Sequence, residues 1–181
     1  MCFDDFSLFL CSLRIPMVHD SQEVRAAALR SVRLLTSTDA DVSALISLNL
    51  HHLVARSIDL DIDNKHERVQ ALKLLRRCVF LGPTRLAGAM GPVRALVSLV
   101  DSGMAEKDRL YRAGIAVLCE LSVLNPNVFA ACNGVTALTR QESYLHSDIF
   151  CSSFEQHMSC KPLYIFICTC LHFLVKILKL Q

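Results

Sequence analysis

Glu67-Arg-Val-Gln-Ala-Leu-Lys-Leu-Leu-Arg-Arg-Cys-Val79 carries the pattern on which the rest of the chain is built. Read as a helix, it gathers Ala71, Leu72, Leu74, Leu75, Cys78 and Val79 on one arc and sets Lys73, Arg76 and Arg77 on the opposite side. The pattern returns twice. Glu23-Val-Arg-Ala-Ala-Ala-Leu-Arg-Ser-Val-Arg-Leu-Leu35 lies about 43 residues upstream, and a third copy runs from Arg109 through Ala113 to Leu121, about 42 residues downstream. A helix recurring at a fixed period is one unit of a stacked array, because a single unit cannot bury its apolar face alone.

That period is the length of a HEAT or armadillo unit. The expected fold is therefore all-α, a right-handed α-solenoid of armadillo/HEAT-like repeats of about 42–43 residues. It should occupy residues 1–140, leaving 141–181 as a divergent Cys-rich tail with an apolar helix.

Composition agrees with this reading. An apolar share of 52%, with no Trp, six Gly and five Pro, describes a helix-rich, tightly packed chain rather than a disordered one. A net charge of +2 is too small to argue for a nucleic-acid partner. The nine cysteines are odd in number and unevenly spaced, which favours reduced thiols, several of them buried, over a disulfide framework. Met1-Cys-Phe-Asp-Asp5 carries acid where a secretory signal needs positive charge, so a cytoplasmic chain is expected.

Along the chain, Phe6 to Ile15 is an apolar run closed by Pro16 and reads as the leading helix of a repeat. Asp20-Ser21 offers an N-cap for the next helix, in which Ala28, Ser31, Val32, Leu34 and Leu35 gather on one side and Ala26, Arg30 and Arg33 on the other. Val42 to Leu60 reads as one long helix. His51 and His52 within it point about 100° apart, which does not suit a shared metal. Asp59 to Asn64 alternates acids like a calcium loop but lacks the glycine at its sixth position and has Gln70 at its twelfth. Gly82-Pro83 and Asn125-Pro126 stop the second and third recurring helices, and Gly134, 43 residues after Gly91, opens a further unit.

Two sets of residues stand out. Asp20 precedes Arg25 by five residues and Asp63 precedes Arg68 by the same five, the spacing of an Asp-Arg ladder between adjacent repeats of a HEAT-type array. Arg30, Arg33, Lys73, Arg76 and Arg77 form the most basic surface, which is either a solvated outer face or a docking face for an acidic partner segment.

Four segments, Gln22-Glu-Val-Arg-Ala-Ala-Ala-Leu-Arg30, His52-Leu-Val-Ala-Arg-Ser-Ile-Asp59, Glu67 to Arg76, and Lys107 to Leu121 followed by Asn125-Pro126, resemble the N-terminal armadillo-like region of the Rictor family. The resemblance covers roughly Asp20 to Thr139 in long ungapped blocks. It implies a non-catalytic scaffold of TOR complex 2, assembling with the TOR kinase and other subunits and acting upstream of AGC kinases such as Akt. The residues alone carry no P-loop, no G-x-S-x-G, no H-E-x-x-H and no glycine-rich strand-to-helix turn, so neither an enzyme nor a cofactor is expected.

The tail breaks the period. Leu163 to Val175 is apolar and is followed by Lys176 and Lys179, so membrane tethering of a helical-repeat adaptor through residues 163–179 is the second reading. Thirteen residues fall short of the roughly twenty that span a bilayer, and a helix packed on the array is the first reading. Cys151, Cys160, Cys168 and Cys170, with His146, His157 and His172, lack the paired spacing of a zinc site.

Overall fold

The computed structural model describes residues 5–59, 64–102 and 109–138. The chain divides into two compact units, Met1–Ala137 and Leu138–Gln181. In the first, every regular element among the described residues is a helix: α1 (Asp5–Met17), α2 (Gln22–Leu35), α3 (Asp39–Ser47), α4 (Leu50–Asp59), α5 (Lys65–Leu81), α6 (Pro83–Ala87), α7 (Met90–Asp101), α8 (Arg109–Leu124) and α9 (Pro126–Ala131). Residues 134–137 are also helical.

The elements repeat as a short helix followed by two longer ones: α3, α4, α5, then α6, α7, α8, with α9 opening a third set. The recurring helices form one layer, α2 against α5 and α5 against α8, while α4 lies on α7 in a second. Within each set the layers join through α4 on α5 and α7 on α8. The fold is the all-α repeat solenoid that the period requires.

Side-chain chemistry sets the helix ends. Ser21 Oγ accepts the Val24 N–H at 3.4 Å to cap α2, and the hydroxyl of Thr36 donates back to the Val32 carbonyl at 2.8 Å at its end. Thr38 and Asp41 form a reciprocal capping box at α3. Burial pushes the Asp41 carboxyl up, but hydrogen bonds from Ser37 and Thr38 outweigh it and hold the group below its usual value. The single long helix expected over Val42 to Leu60 is in fact two. Asn49, with φ 59°, turns the chain between α3 and α4 in the left-handed region that Asn tolerates better than most residues. Asn133, with φ 60°, makes the same turn after α9. Pro83 and Pro126, read as stops, also open the short helices α6 and α9, since a first-turn proline gives up no hydrogen bond.

Ala71, Leu72, Leu74, Leu75, Cys78 and Val79 are all buried, as the arc in α5 predicts. The upstream copy is rotated from its expected face: Ala26, Ala28, Leu29 and Val32 are buried, whereas Leu34 and Leu35 are exposed. Leu34 lies only about 40° around the helix from Arg30, so it shares the solvent side. In α1, Leu10 and Met17 are buried and Ile15 is exposed. Gly134 has a packing reason, because a Cβ there would stand 2.3 Å from the buried Phe129 ring.

Candidate protein interface

Among the described residues, side-chain links cross from one repeat to the next, each spanning close to one period. Arg25 reaches Glu67 (42 residues on), Arg77 reaches Thr36 (41), Arg85 reaches Asp39 (46), Ser98 reaches Asp59 (39) and Cys132 reaches Met90 (42). They connect α2 to α5, α3 to α6, α4 to α7 and α7 to the turn after α9. The Arg85–Asp39 pair is exposed and long at 3.4 Å, and contributes little.

The Arg25–Glu67 rung is different. Arg25 Nε donates to both Glu67 oxygens at 3.0 Å, and a terminal guanidinium nitrogen lies 2.9 Å from Oε2. The other guanidinium nitrogen donates to the main-chain carbonyls of His19, at 2.6 Å, and Asp20, at 2.8 Å. Glu67 also accepts from the Asn64 side-chain amide at 2.9 Å, and its side chain is 3% exposed against 18% for Arg25. A forked guanidinium–carboxylate geometry with further hydrogen bonds is what a desolvated pair requires.

Of the expected Asp–Arg ladder, the described residues show Arg25 bound to Glu67. Arg25 does bridge repeats, but Glu67 supplies the carboxylate and Asp20 contributes its carbonyl. Arg68 Nε donates to the Ile58 carbonyl at 2.8 Å, holding α5 to the end of α4 within one repeat. Asp63 lies outside the described residues. The sequence signal for Glu67 was its distance of nearly one period from Arg25, which a five-residue Asp–Arg spacing conceals.

The basic set divides. Arg30, Lys73 and Arg76 are exposed. Arg33 is half-buried, and its Nε lies buried without a hydrogen bond. Arg77, expected on the open face, is half-buried too, and its Nε donates to the Thr36 carbonyl beyond the end of α2. It sits about 100° from Arg76, which is enough to turn it toward the neighbouring helix. On α8, burial pushes the Glu120 carboxyl up while the nearby charge of Arg76 pulls it back. The open face of α2 and α5 thus offers Arg30, Lys73 and Arg76, with one acid beside Arg76.

The chain's family follows from comparison with known proteins. The model of the N-terminal region of rapamycin-insensitive companion of mTOR matches residues 3–161. The chain belongs to the Rictor N-terminal family. This Rictor match takes in α1 and runs beyond Arg140, the expected end of the repeat domain. Among relatives, rapamycin-insensitive companion of mTOR from Mus musculus is 32% identical over 138 residues, 76% of this chain and 8% of that protein. The Homo sapiens protein of that name is 32% identical over 133 residues, 74% and 8% of the two chains. The target of rapamycin complex 2 subunit TSC11 of Saccharomyces cerevisiae is 25% identical over 130 residues, 72% and 9% of the two. The matched stretch is thus less than a tenth of the length of these Rictor-family relatives.

Two further groups are accounted for by packing. His51 is buried while His52 is exposed, and their rings lie 4.0 Å apart. Gly91 of α7 packs beside His52, where a Cβ would stand 3.0 Å from Nδ1. Burial lowers the His51 pKa, and the charge of His52 lowers it further. The neutral imidazole is therefore the folded form. The unfolded chain binds the extra proton first, so the contribution of His51 is complete above about pH 6.5 and is lost as pH falls toward its depressed folded pKa. Thermal melts between about pH 7.5 and 5.5 should show a midpoint that drops with acid, and His51→Gln should flatten that slope. An unchanged slope in the variant would assign the acid sensitivity elsewhere. Cys78, Cys119 and Cys132 are buried and outside any disulfide among the described residues, and burial pushes the Cys78 thiol up to about 12, which makes it inert.

No described helix is long and apolar enough to cross a membrane. The apolar stretch 163–179 lies outside the described residues, as do the tail cysteines and histidines weighed for zinc.

Proposed function

We propose that this chain is a non-catalytic scaffold segment that assembles with the TOR kinase and other subunits of TOR complex 2 in the cytoplasm. The observation that carries the reading is the division of surface on α2 and α5. Their apolar arcs, together with Arg25, Glu67, Arg68 and Arg77, are spent on holding the array, whereas Arg30, Lys73 and Arg76 project from an intact, ordered face. A stacked array keeps such a face rigid, so a partner that docks there pays little ordering entropy on this side. Membership of the Rictor N-terminal family supports this reading, as does the likeness to a yeast subunit of target of rapamycin complex 2.

The competing function is a membrane-tethered adaptor using 163–179. Affinity purification of the chain with and without residues 141–181 separates the two. The scaffold reading expects the same TOR complex 2 subunits in both eluates. Loss of those subunits, together with loss of membrane recovery, from a shortened chain that still melts cooperatively would favour the tether.

A further inference from the structure

Phe80, in the last turn of α5, is 83% exposed, more than any other large apolar side chain among the described residues. On a helix it falls within about 40° of both Lys73 and Arg76, so all three project from one narrow arc. A single exposed Phe would be unremarkable. Its neighbours make it a strip. Arg77 reaching the Thr36 carbonyl sets the end of α2 level with the last turns of α5, and there Leu34 is 60% exposed. On α8, which packs against α5, Val123 lies 43 residues, one period, after Phe80 and is 48% exposed. Leu34, Phe80 and Val123 therefore edge three adjacent helices at the same end of the layer, with Arg30, Lys73 and Arg76 on the preceding turns.

We propose that this strip is the docking site of an acidic, amphipathic helix of a partner protein, whose apolar side chains cover Leu34, Phe80 and Val123 while its carboxylates meet Arg30, Lys73 and Arg76. The inference rests on the scaffold reading and gives it a partner chemistry. Packed helices lie about 8–10 Å apart, so the strip runs roughly 20 Å, and an occupying helix matches it with apolar residues seven apart, about 10 Å. The charge beside the strip decides the sign of the occupant. Lys73 and Arg30 form no ion pair with a carboxylate among the described residues, and Arg76 has Glu120 beside it, so three cations face one acid; an acidic segment gains two unopposed pairings, at Arg30 and Lys73, and a basic one is repelled. An apolar strip alone binds without register, and cations alone bind weakly in salt; the combination fixes both position and orientation.

The probe is a labelled synthetic helix of about 16 residues with Leu at seven-residue spacing and Glu on the flanking positions, titrated with the full chain by fluorescence anisotropy. Saturable binding is expected, weakened by salt, and reduced roughly tenfold by Phe80→Ser and by replacing the peptide leucines with Gln. Phe80→Leu should retain it. Because Phe80 is exposed, Phe80→Ser should melt like the wild type, which separates lost docking from lost folding. Equal binding by Phe80→Ser overturns the proposal. So does absence of saturable binding, or Phe80-dependent binding to phosphatidylserine vesicles in preference to the peptide. Recovery of TOR complex 2 subunits by the wild-type chain tests the underlying reading separately: if they are recovered equally with Phe80→Ser, the scaffold stands and the apolar anchor falls.

Discussion

Leu75→Asp should abolish the cooperative thermal transition of the repeat unit. Leu75 is 1% exposed in α5, the helix that packs against α2, α4 and α8 at once. The substitution removes a buried aliphatic side chain, at about 2–5 kcal/mol. It also leaves a carboxylate without a designed partner, at a further cost of several kcal/mol. Total stabilities of domains run at about 5–15 kcal/mol, so the combined loss takes most or all of what holds the unit together. Leu75→Met keeps the volume and the apolar character and should cost less than about 1.5 kcal/mol. Circular dichroism melts of the two variants against the wild type check this. A cooperative melt in Leu75→Asp near the wild-type midpoint would mean that α5 does not use this face for packing.

Breaking the Arg25–Glu67 rung should have the next largest effect, and it should be asymmetric. Arg25→Ala leaves the nearly inaccessible Glu67 carboxylate with a hydrogen bond from the Asn64 amide but no cation, so the cost should approach about 3 kcal/mol. Glu67→Gln should cost less, about 1–2 kcal/mol. Arg25 is nearer solvent and keeps the His19 and Asp20 carbonyls. Denaturant unfolding of the two single variants and the double variant yields the coupling energy, expected at about 1–3 kcal/mol. Coupling below about 0.5 kcal/mol would show that the repeats are joined by apolar packing alone.

The helix that is sandwiched in the array was the part most legible from the sequence. The core of α5 faces neighbours on several sides, so its apolar arc is wide and its periodicity strong. The α2 copy misled because Leu34 and Leu35 are apolar by composition yet sit beyond the helix's packed arc, where only the neighbour's position decides burial. The break at Asn49 was hidden because Asn is tolerated in a helix as well as in a left-handed turn, and no Gly or Pro accompanies it. Glu67 and Arg77 were missed for a related reason. Each is one charged residue among several on its helix, and what distinguishes them is the point of closest approach to α2, a tertiary fact. The exposed cations were legible because they lie opposite a strong apolar arc, but the apolar strip beside them is visible only once three helices are set side by side.

On the proposed function, the open face of α5 holds a protein partner while its opposite face holds the array. The measurement that tests it most directly is parallel affinity purification of the wild-type chain and a Lys73→Glu, Arg76→Glu variant, each with its thermal midpoint recorded. Both residues are exposed, so the midpoint should move little, while recovery of TOR complex 2 subunits should fall by roughly tenfold or more. Undiminished recovery with an unchanged midpoint would contradict the account and return that face to solvent.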